Sequence, residues 1–272
     1  MSYSKVLSRD PSRDQESRRR NWRHARDVIA VLVDRDLKML YKRSWLGLGW
    51  ALAMPLVQLM VFSLVFRRVL SVSIENYASF AFCGVLVWGW FQTTLTQSTT
   101  LITGSPALVR QPGFPLALLP YVTAGVRFVH FAVALPVLLL FMWRQGIEPG
   151  WAWLSLPLIA AIQFILLVGL AYPLAALNVT LRDTQHVATV SLQLVMFLTP
   201  IYYSMDSVPP NLLPWFRLNP MVGLLDAWRE VLLHARWPDP TTLMLLGAVA
   251  VALHLAGRRV FVMQSHRFVD DL

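Results

Sequence analysis

The sequence predicts an all-α polytopic membrane protein with six transmembrane helices, an N-terminal amphipathic interface helix, and a short re-entrant helical pair before the last span. Of its 272 residues, 56% are hydrophobic and 14% charged, whereas soluble domains carry about 25% charged residues. Apolar segments long enough to cross a bilayer recur along the chain, and basic residues gather near its ends. Despite the net charge of +9, this distribution argues against a nucleic-acid-binding module.

The N-terminal arm is basic, with about twelve Lys and Arg between residues 2 and 43. Its first twenty residues hold no apolar run that could act as a signal peptide. We therefore expect residues 1–21 to be a flexible cytosolic terminus and residues 22–44 to form an amphipathic helix in the membrane interface. A solvated charged helix is the alternative. The apolar positions at helical spacing are Val28, Val31, Leu32, Leu37 and Leu40.

The membrane-spanning region, residues 45–263, begins with three apolar segments of the length that a spanning helix needs, about 20 residues. The first, 46–66, is uncharged and is followed by Arg67 and Arg68. The second, 77–101, is uncharged but rich in hydroxyl and amide groups in its second half. The third, 116–142, is apolar except for Arg127 and His130.

Three further segments complete the six predicted spans. Residues 151–177 are uncharged, residues 187–203 form a shorter apolar run, and residues 241–261 form the last. Residues 264–272 are left as a cytosolic tail. With both termini inside, the inner segments carry about seventeen Lys and Arg and the outer segments about six. This bias follows the positive-inside rule, although most of it comes from the arm.

The segment 205–236 is apolar but broken. Closely spaced prolines between residues 200 and 220 prevent the fifth span from continuing. The following run, 221–233, returns to helical spacing but makes only about 20 Å of helix, which is too short to span. Such a length favours a re-entrant or interfacial segment, with Asp226, Arg229 and Glu230 marking its wet face. A surface-bound amphipathic loop is the alternative.

Motifs for catalysis are missing from the sequence. No GxxxxGK[ST] loop is present for binding ATP phosphates, no HExxH motif occurs, and the six histidines lack ligand spacing. The lone Cys83 cannot form an intrachain disulfide. The first five predicted spans contain no carboxylate, which argues against the usual proton relay. We therefore expect no enzyme activity, no metal and no cofactor in this chain.

Six segments in order carry a family resemblance. The stretch from Arg35 to Phe66, "RDLKMLYKRSWLGLGWALAMPLVQLMVFSLVF", resembles the entry segment of type-2 ABC exporter permeases, particularly exporters of lipid-linked polysaccharides such as O-antigen and teichoic acid. The resemblance continues to about Leu233. One departure is the absence of an acid after "FP", where this chain has Leu116 and Ala117. The other matching segments are "NYASFAFCGVLVWGWFQTTL", "LITGSPALVRQPGFPLALLP", "NVTLRDTQHV", "SLQLVMFLTPIYYSMDSVPP" and "LNPMVGLLDAWREVLL".

The resemblance implies a homodimer in the bacterial inner membrane, driven by two copies of a cytosolic ATPase subunit that holds the ATP and Mg. It also implies two cytosolic contacts with that ATPase. One is the loop with Gly104, Ser105, Pro106 and Arg110, where Ser-Pro is typical of a helix start with a hydroxyl cap. The other is the turn with Arg182 and Asp183. An ordinary polar loop is the alternative for the first.

Candidate residues for a glycan path combine aromatic rings with hydrogen-bonding groups. Sugar C–H faces stack on rings while sugar hydroxyls need donors and acceptors, although aromatic residues also gather at membrane interfaces. Arg127 and His130 share a helix face and could contact an anionic substrate, form a structural pair, or place Arg127 at the interface. The path candidates are Trp88, Trp90, Phe91, Gln92, Thr93, Tyr202 and Tyr203.

Two other functions share parts of this pattern. An exporter of drugs or small lipids would have the same architecture. A membrane-embedded glycan-modifying enzyme would have to use the outer acids, which cluster as Asp206, Asp226, Glu230 and Asp239.

Overall fold

The computed structural model describes residues 11–42, 49–65 and 74–268. The parts of the predicted elements at 1–10, 43–48, 66–73 and 269–272, with Arg67 and Arg68, lie outside these ranges. The described part of the chain folds into ten α-helices joined by turns and short 3-10 segments, without a strand. The helices are α1 Pro11–Tyr41, α2 Trp50–Ser63, α3 Tyr77–Thr99, α4 Pro106–Val109, α5 Leu119–Arg144, α6 Leu156–Thr180, α7 Thr184–Phe197, α8 Leu213–Arg217, α9 Pro220–His234 and α10 Pro240–Gln264.

Four helical segments of the described residues are long and apolar enough to cross a membrane: Tyr77–Thr99, Leu116–Arg144, Trp151–Thr180 and Pro240–Arg267. The structure therefore confirms a polytopic, all-helical protein. The other two predicted spans correspond to α2 and α7, which have 14 residues each. A helix of the length of α7 is about 21 Å long and shorter than the hydrocarbon core of about 30 Å. The count of six spans stays a prediction.

The centre of the fold is formed by α3 and α6, with α10 and α9 packed around them. Two glycines bring α6 and α10 into backbone contact. A Cβ added at Gly169 would lie 2.7 Å from the amide nitrogen of His254, and one added at Gly257 would collide with the carbonyl oxygen of Gly169. Small residues at a crossing point are a common way for membrane helices to approach closely, because little apolar driving force acts between them in lipid.

The long helix α1 packs against α5. Leu32 is buried in a cluster with Val122 and Val126, and Gly125 leaves room for Val33, whose Cγ2 would lie 3.4 Å from an added Cβ. The opposite side of α1 carries exposed charges, among them Lys38, which pairs with Asp34 one turn earlier. α1 is therefore apolar towards α5, whereas two of the predicted apolar positions, Val31 and Leu40, are exposed, and the place of α1 in the membrane interface stays a prediction. The helix α1 begins at Pro11, before the range predicted for the interface helix, and ends at Tyr41, inside that range.

Prolines open helices in this fold as well as breaking them. Pro220 and Pro240 occupy the first turn of α9 and α10, where a missing N–H does no harm. The preceding residues cap these helices: Asn219 Oδ1 accepts from the amide of Met221 over 3.0 Å, and Asp239 Oδ2 accepts from the amide of Thr242 over 2.8 Å. The hydrogen bonds from Thr242 lower the pKa of the Asp239 carboxyl below its ordinary value.

Candidate functional site: a polar path beside α3

One side of α3 is polar along three turns. Most of this helix is buried against its neighbours, and between Ala81 and Thr100 every residue that is not buried is polar or glycine. We call this surface the polar stripe. Thr93 Oγ1 donates to the carbonyl oxygen of Gly89 over 2.6 Å, so its hydroxyl is satisfied by the helix itself. The polar stripe consists of Gly89, Gln92, Thr93, Thr96, Gln97 and Thr100.

A cavity of about 480 Å³ lies beside the first part of the polar stripe, between α2, α3 and α5. We call it the α2 cavity. Among the sequence-predicted residues, Trp90, Gln92, Thr93, Arg127 and His130 line it together. The structure therefore brings three of the seven predicted path residues and the predicted polar pair into one place. The remaining described lining is largely apolar and comes from Leu40, Trp50, Met54, Pro55, Val85, Leu86, Phe131 and Ala134, with Gln58 and Gly89.

The predicted aromatic residues do not all reach the α2 cavity. Trp88 and Phe91 are 3% and 5% exposed and pack on each other with ring centroids 5.1 Å apart. Trp88 Nε1 donates to Gln92 Oε1 over 3.0 Å. Trp90 stacks on Phe131 with centroids 5.3 Å apart, and both residues line the cavity. Trp90 is thus the aromatic member of the predicted set that lines the α2 cavity, but it is itself only 2% exposed, and its Nε1 donates to the carbonyl of Ala124 over 3.3 Å.

Arg127 lies where the α2 cavity meets a second one. Its Nε donates to Oε1 of Gln97 over 2.8 Å, and its Nη1 lies 3.1 Å from Nδ1 of His130. The pair at positions 127 and 130 is therefore real, and Gln97 of the polar stripe joins it. Because glutamine is common on exposed helix faces, nothing in the sequence distinguishes Gln97 from Gln92 as the partner.

The second cavity, of about 510 Å³, connects the end of the polar stripe to α4. We call it the α4 cavity. Arg127 and Leu40 line both cavities, so the two adjoin. Of the predicted ATPase-contact residues, Gly104, Ser105 and Pro106 line the α4 cavity, opposite Arg35 and Asp36 of α1. The guanidinium of Arg35 contacts Asp36 Oδ1 over 2.8 Å.

The short helix α4 begins at Pro106, as the Ser-Pro pattern predicts. The expected hydroxyl cap does not form: the Ser105 side chain accepts no capping hydrogen bond, and its backbone carbonyl accepts from the amides of Leu108 and Val109 over 3.0 and 3.2 Å instead. These two hydrogen bonds to the Ser105 carbonyl already form the first turn of this short helix. Val109 is 5% exposed and anchors α4 in the core, whereas Gly104, Pro106 and Arg110 are exposed.

The second predicted contact, with Arg182 and Asp183, lies at the same end of the molecule. Both residues are exposed in the turn between α6 and α7. Asn178, just before this turn, places its Nδ2 3.5 Å from Thr103 Oγ1, just before α4. The ends of α1, α4, α5, α6 and α10 share one buried cluster here, with Leu32, Val109, Leu119, Val179 and Phe261 among its members.

At the opposite end, Arg229 corrects a prediction from the sequence. Instead of lying on a wet face, its side chain is 5% exposed. Nη1 donates to the carbonyl of Pro200 over 2.6 Å, Nη2 donates to that of Ile201 over 2.7 Å, and the guanidinium lies 3.5 Å from the centroid of the Phe80 ring. The break after α7 supplies the acceptors, because its backbone carbonyls have no helix partners. Gly84 makes space, since an added Cβ would lie 3.0 Å from Nη2.

The two predicted tyrosines lie beside this arginine and off the two cavities. Tyr202 is 7% exposed; its hydroxyl accepts from Nε2 of Gln58 over 2.6 Å, and its carbonyl accepts from the hydroxyl of Tyr77 over 3.2 Å. Tyr203 donates to the carbonyl of Phe197 over 2.7 Å. Both phenols therefore hold the break after α7 in place. Through Gln58, Tyr202 is one residue removed from the α2 cavity.

A buried polar connection that involves none of the predicted site residues links α9 to α6 and α3. Trp228 Nε1 donates to Gln163 Oε1 over 2.9 Å, and Gln163 Nε2 donates to the carbonyl of Val87 over 3.1 Å. The indole of Trp228 also meets Phe131 edge-on, with centroids 5.2 Å apart. An uncharged glutamine in an apolar span was the available signal, because a buried amide needs partners.

Among the described residues there is no group of three or more His, Cys, Asp or Glu that could hold a metal ion. The polar groups along α3 are amides, hydroxyls and one guanidinium. They can bind and position a polar solute, but they form no recognisable nucleophile and base pair.

Comparisons with known proteins agree on one family. The sequence model described as "ABC-2 type transporter" matches residues 27–233. An "O-antigen export system permease protein RfbA" of Myxococcus xanthus is 32% identical over 249 residues, which cover 91% of this chain and 96% of the relative. A protein of the same description from Klebsiella pneumoniae is 28% identical over 247 residues, covering 90% of this chain and 95% of the relative.

Proposed function

This chain belongs to the ABC-2 type transporter family, and from that membership we propose that it is the permease subunit of an ATP-driven exporter of a lipid-linked glycan. The similar proteins from two bacteria are described as O-antigen export permeases, which supports a glycan of that kind as the cargo. The chain is a multi-pass membrane protein and a transport subunit. We further propose where the substrate passes, which subunits the chain binds and how the chain is oriented in the membrane.

The polar stripe on α3 is the observation that carries the proposal. A helix surrounded by lipid has no reason to present hydroxyl and amide groups along three turns, because each polar group in hydrocarbon costs free energy unless it is paired. The exposed side of α3 is polar although its buried side is mostly apolar. Such a surface suits contact with water or sugar hydroxyls. The adjoining cavities extend it from Gln58 to α4.

A second copy of the chain would complete the path. Along α7, one exposed line of residues is polar, with Gln185, Thr189 and Gln193 at successive turns. An adjacent exposed line is apolar, with Val190 and Leu194 more than half exposed. In a homodimer the apolar line can bury against protein or lipid while the polar line faces the space between the copies. This division supports two subunits around a shared conduit.

An ATPase partner would bind at the end that carries α4. The exposed groups of Gly104 to Arg110 and of Arg182 and Asp183 form a surface at one end of the bundle, and their backbones are anchored in a common apolar cluster. Such anchoring suits a contact that transmits force, because a displacement of α4 would act on the apolar cluster that it shares with α1 and α5. Two ATPase subunits would supply ATP and Mg, one for each permease.

The orientation follows from this partner. The end with α4 would face the cytosol, both termini would be cytosolic, and the membrane would be the bacterial inner membrane. The pair α8 and α9 would then dip into the membrane from the outer side. The burial of α9 against α3, α6 and α10 supports an embedded helix rather than one resting on the surface.

Cysteine accessibility tests the path. The natural Cys83 is buried, so single cysteines introduced elsewhere report on their own positions. In membranes containing the chain and its ATPase, a water-soluble maleimide should modify Thr93→Cys and Gln97→Cys. It should spare the matched buried position Thr94→Cys and the exposed apolar position Val251→Cys on α10. Equal protection of positions 93, 97 and 251 would mean that the stripe faces lipid or protein.

Co-purification tests the partner. We expect an ATPase subunit to assemble with the chain and to lose affinity when Arg182 and Asp183 are both replaced by alanine. A chain that purifies without any ATPase and alone modifies a polyprenyl-linked glycan would contradict the proposal and favour the enzyme alternative.

A further inference from the structure

Asn178 is a buried asparagine in the last turn of the membrane-spanning helix α6. Its side chain is 3% exposed, and its Oδ1 has no hydrogen-bond donor among the residues that the structure describes. Its Nδ2 lies 3.5 Å from Oγ1 of Thr103, which precedes α4. Buried polar atoms are nearly always paired, because an unpaired one costs free energy. A buried amide with one long hydrogen bond and one unpaired oxygen is therefore not explained by packing.

The hydroxyl of Thr103 is held as loosely as the amide of Asn178. It donates to the carbonyl oxygen of Thr100 over 3.4 Å. Both of its contacts exceed the usual length of about 2.7–3.0 Å. A hydroxyl both donates and accepts, and rotation of the Asn178 amide exchanges the positions of its oxygen and nitrogen. The pair can therefore form a full hydrogen bond in either direction once its atoms approach by about 0.5 Å.

Thr103 lies in a stretch whose backbone is hydrogen-bonded from Thr100 into α4. The amide of Gly104 donates to the carbonyl of Thr100 over 2.8 Å, and a Cβ added at Gly104 would lie 2.8 Å from the same oxygen. A side chain does not fit in so tight a turn. The carbonyl of Ser105 then accepts from the amides of α4. We call residues 100–110 the α4 segment, and a displacement of its exposed part acts on Thr103 through these bonds.

Asn178 stands one helical turn before Arg182, in the second exposed contact. The amide of Leu181 donates to the carbonyl of Leu177 over 2.8 Å, so the backbone stays hydrogen-bonded from α6 into the turn. We call residues 177–184 the α6–α7 turn. The Asn178 side chain thus connects the α4 segment directly to the α6–α7 turn.

The surroundings of this connection are apolar. Ile102 and Val179, the chain neighbours of Thr103 and Asn178, are buried in one cluster and are 0% and 8% exposed. In apolar surroundings a completed hydrogen bond gains more than in water, and an incomplete one costs more. The pair therefore favours a position of the α4 segment in which its atoms meet.

We propose that Asn178 is a positioning residue for energy coupling, which through Thr103 ties the α4 segment to the α6–α7 turn so that the ATPase displaces both contacts together. Their hydrogen bond is long in this conformation and shortens when the α4 segment moves towards α6. This inference rests on the proposed function, because it needs an ATPase bound at this end of the molecule.

The first test measures the ATP hydrolysed for each glycan moved by the permease–ATPase complex in proteoliposomes. Asn178→Leu and Thr103→Val should each raise this ratio about fivefold, as expected for the loss of one neutral hydrogen bond. The double variant should be no worse than either single variant, because both lose the same bond. Thr103→Ser keeps the hydroxyl and should retain the wild-type ratio. The matched controls Asn211→Leu and Thr241→Val make the same changes at exposed positions outside both contacts and should also retain it.

Thermal unfolding of the same complex separates positioning from a structural role. Asn178→Leu removes a buried oxygen without a donor and loses only a long hydrogen bond. The variant should therefore melt at the wild-type temperature or above it, although its ratio is raised. A lower melting temperature with an unchanged ratio would assign Asn178 to structure alone.

Amide hydrogen exchange tests the connection without transport. A non-hydrolysable ATP analogue should change the protection of the α4 segment and of the α6–α7 turn together in the wild-type complex. In Asn178→Leu and in Thr103→Val, one of the two segments should respond and the other should not. If Asn178→Leu does not yield a folded complex, Thr103→Val decides the question.

A wild-type ratio in these variants, or a joint exchange response that persists in them, would overturn the inference. A complex that exports glycan with such unchanged variants would refute this inference alone. A wild-type complex whose two segments respond together while no glycan moves would refute the proposed function alone. A chain that binds no ATPase would refute both.

Discussion

The guanidinium of Arg229 is bonded to the backbone at the break after α7, where its Nη2 donates to the carbonyl oxygen of Ile201 over 2.7 Å. This contact fastens the buried helix α9 to the end of α7 and, through Phe80, to the start of α3. The polar stripe begins three turns further along α3. Any opening at this end that separates α9 from α7 must break the hydrogen bonds of Arg229.

Replacing Arg229 with methionine should destabilise the protein. The carbonyls of Pro200 and Ile201 would lose a charged donor, and each unsatisfied buried acceptor costs about 1–3 kcal/mol. Arg229→Lys should cost less, because one ammonium can still reach a carbonyl. Thermal unfolding of the purified complex measures the effect. The control, Arg217→Met, removes an exposed arginine of α8 and should melt as the wild type does. Equal melting of Arg229→Met and wild type would show that the contact adds no stability.

The Trp228–Gln163 hydrogen bond should behave as a coupled pair. Gln163→Leu leaves the buried indole N–H of Trp228 without its acceptor, and Trp228→Phe leaves the amide of Gln163 without its donor. Each single change should cost about 1–3 kcal/mol. The double variant should cost less than their sum by about 0.5–3 kcal/mol, because no unsatisfied partner remains. Additive losses in a denaturation cycle would indicate that the two side chains do not interact.

The crossing of α6 and α10 should not tolerate a methyl group at Gly257. An added Cβ collides with the carbonyl of Gly169, and backbone cannot move aside as a side chain can. We expect Gly257→Ala to lower stability by about 1–3 kcal/mol. The matched control lies on the same helix: a Cβ at Gly247 meets only Ile162 Cδ1 at 4.0 Å, so Gly247→Ala should be neutral or stabilising. Similar melting temperatures for both variants would contradict this packing.

Arg182→Ala and Asp183→Ala should separate ATP hydrolysis from export. Both side chains are exposed in the turn before α7, so their loss should leave folding and membrane insertion intact. Export should fall while the ATPase continues to hydrolyse ATP in the assembled complex. Arg236→Ala, an exposed arginine before α10, should preserve both activities. Normal export by both turn variants would exclude this turn from coupling.

The long helices could be predicted from the sequence, whereas the contacts of the segments between them could not. Predicted spans 77–101 and 151–177 correspond closely to the helical segments Tyr77–Thr99 and Trp151–Thr180, because a continuous apolar run needs no tertiary information. Arg229 was misplaced for the opposite reason. Arg229 is spaced from Asp226 and Glu230 like residues on one solvent-exposed face of a helix. The carbonyls that accept its hydrogen bonds lie about 28 residues earlier in the chain.

Part of the lining of the α2 cavity could be named from the sequence, but its arrangement could not, and the role of these residues stays a prediction. Trp90, Gln92, Thr93, Arg127 and His130 were singled out from the sequence, and the structure places them on one cavity. The neighbours Trp88 and Phe91 could not be separated from them, because alternate faces of a helix carry the same residue types here. The partners Gln97 and Gln163 depend on contacts between distant helices, which single-sequence patterns do not specify.

ATP-driven movement of a lipid-linked glycan in proteoliposomes tests the central claim most directly. The chain and its ATPase would be reconstituted together, and the glycan that becomes accessible to a glycosidase on the far side would be measured with and without ATP. We expect ATP-dependent translocation that requires both subunits and is greatly reduced when Thr93 and Gln97 are both replaced by leucine, with Thr241→Leu on α10 as an active control. Equal accessibility without ATP, or full activity of the leucine variant, would contradict a path along α3.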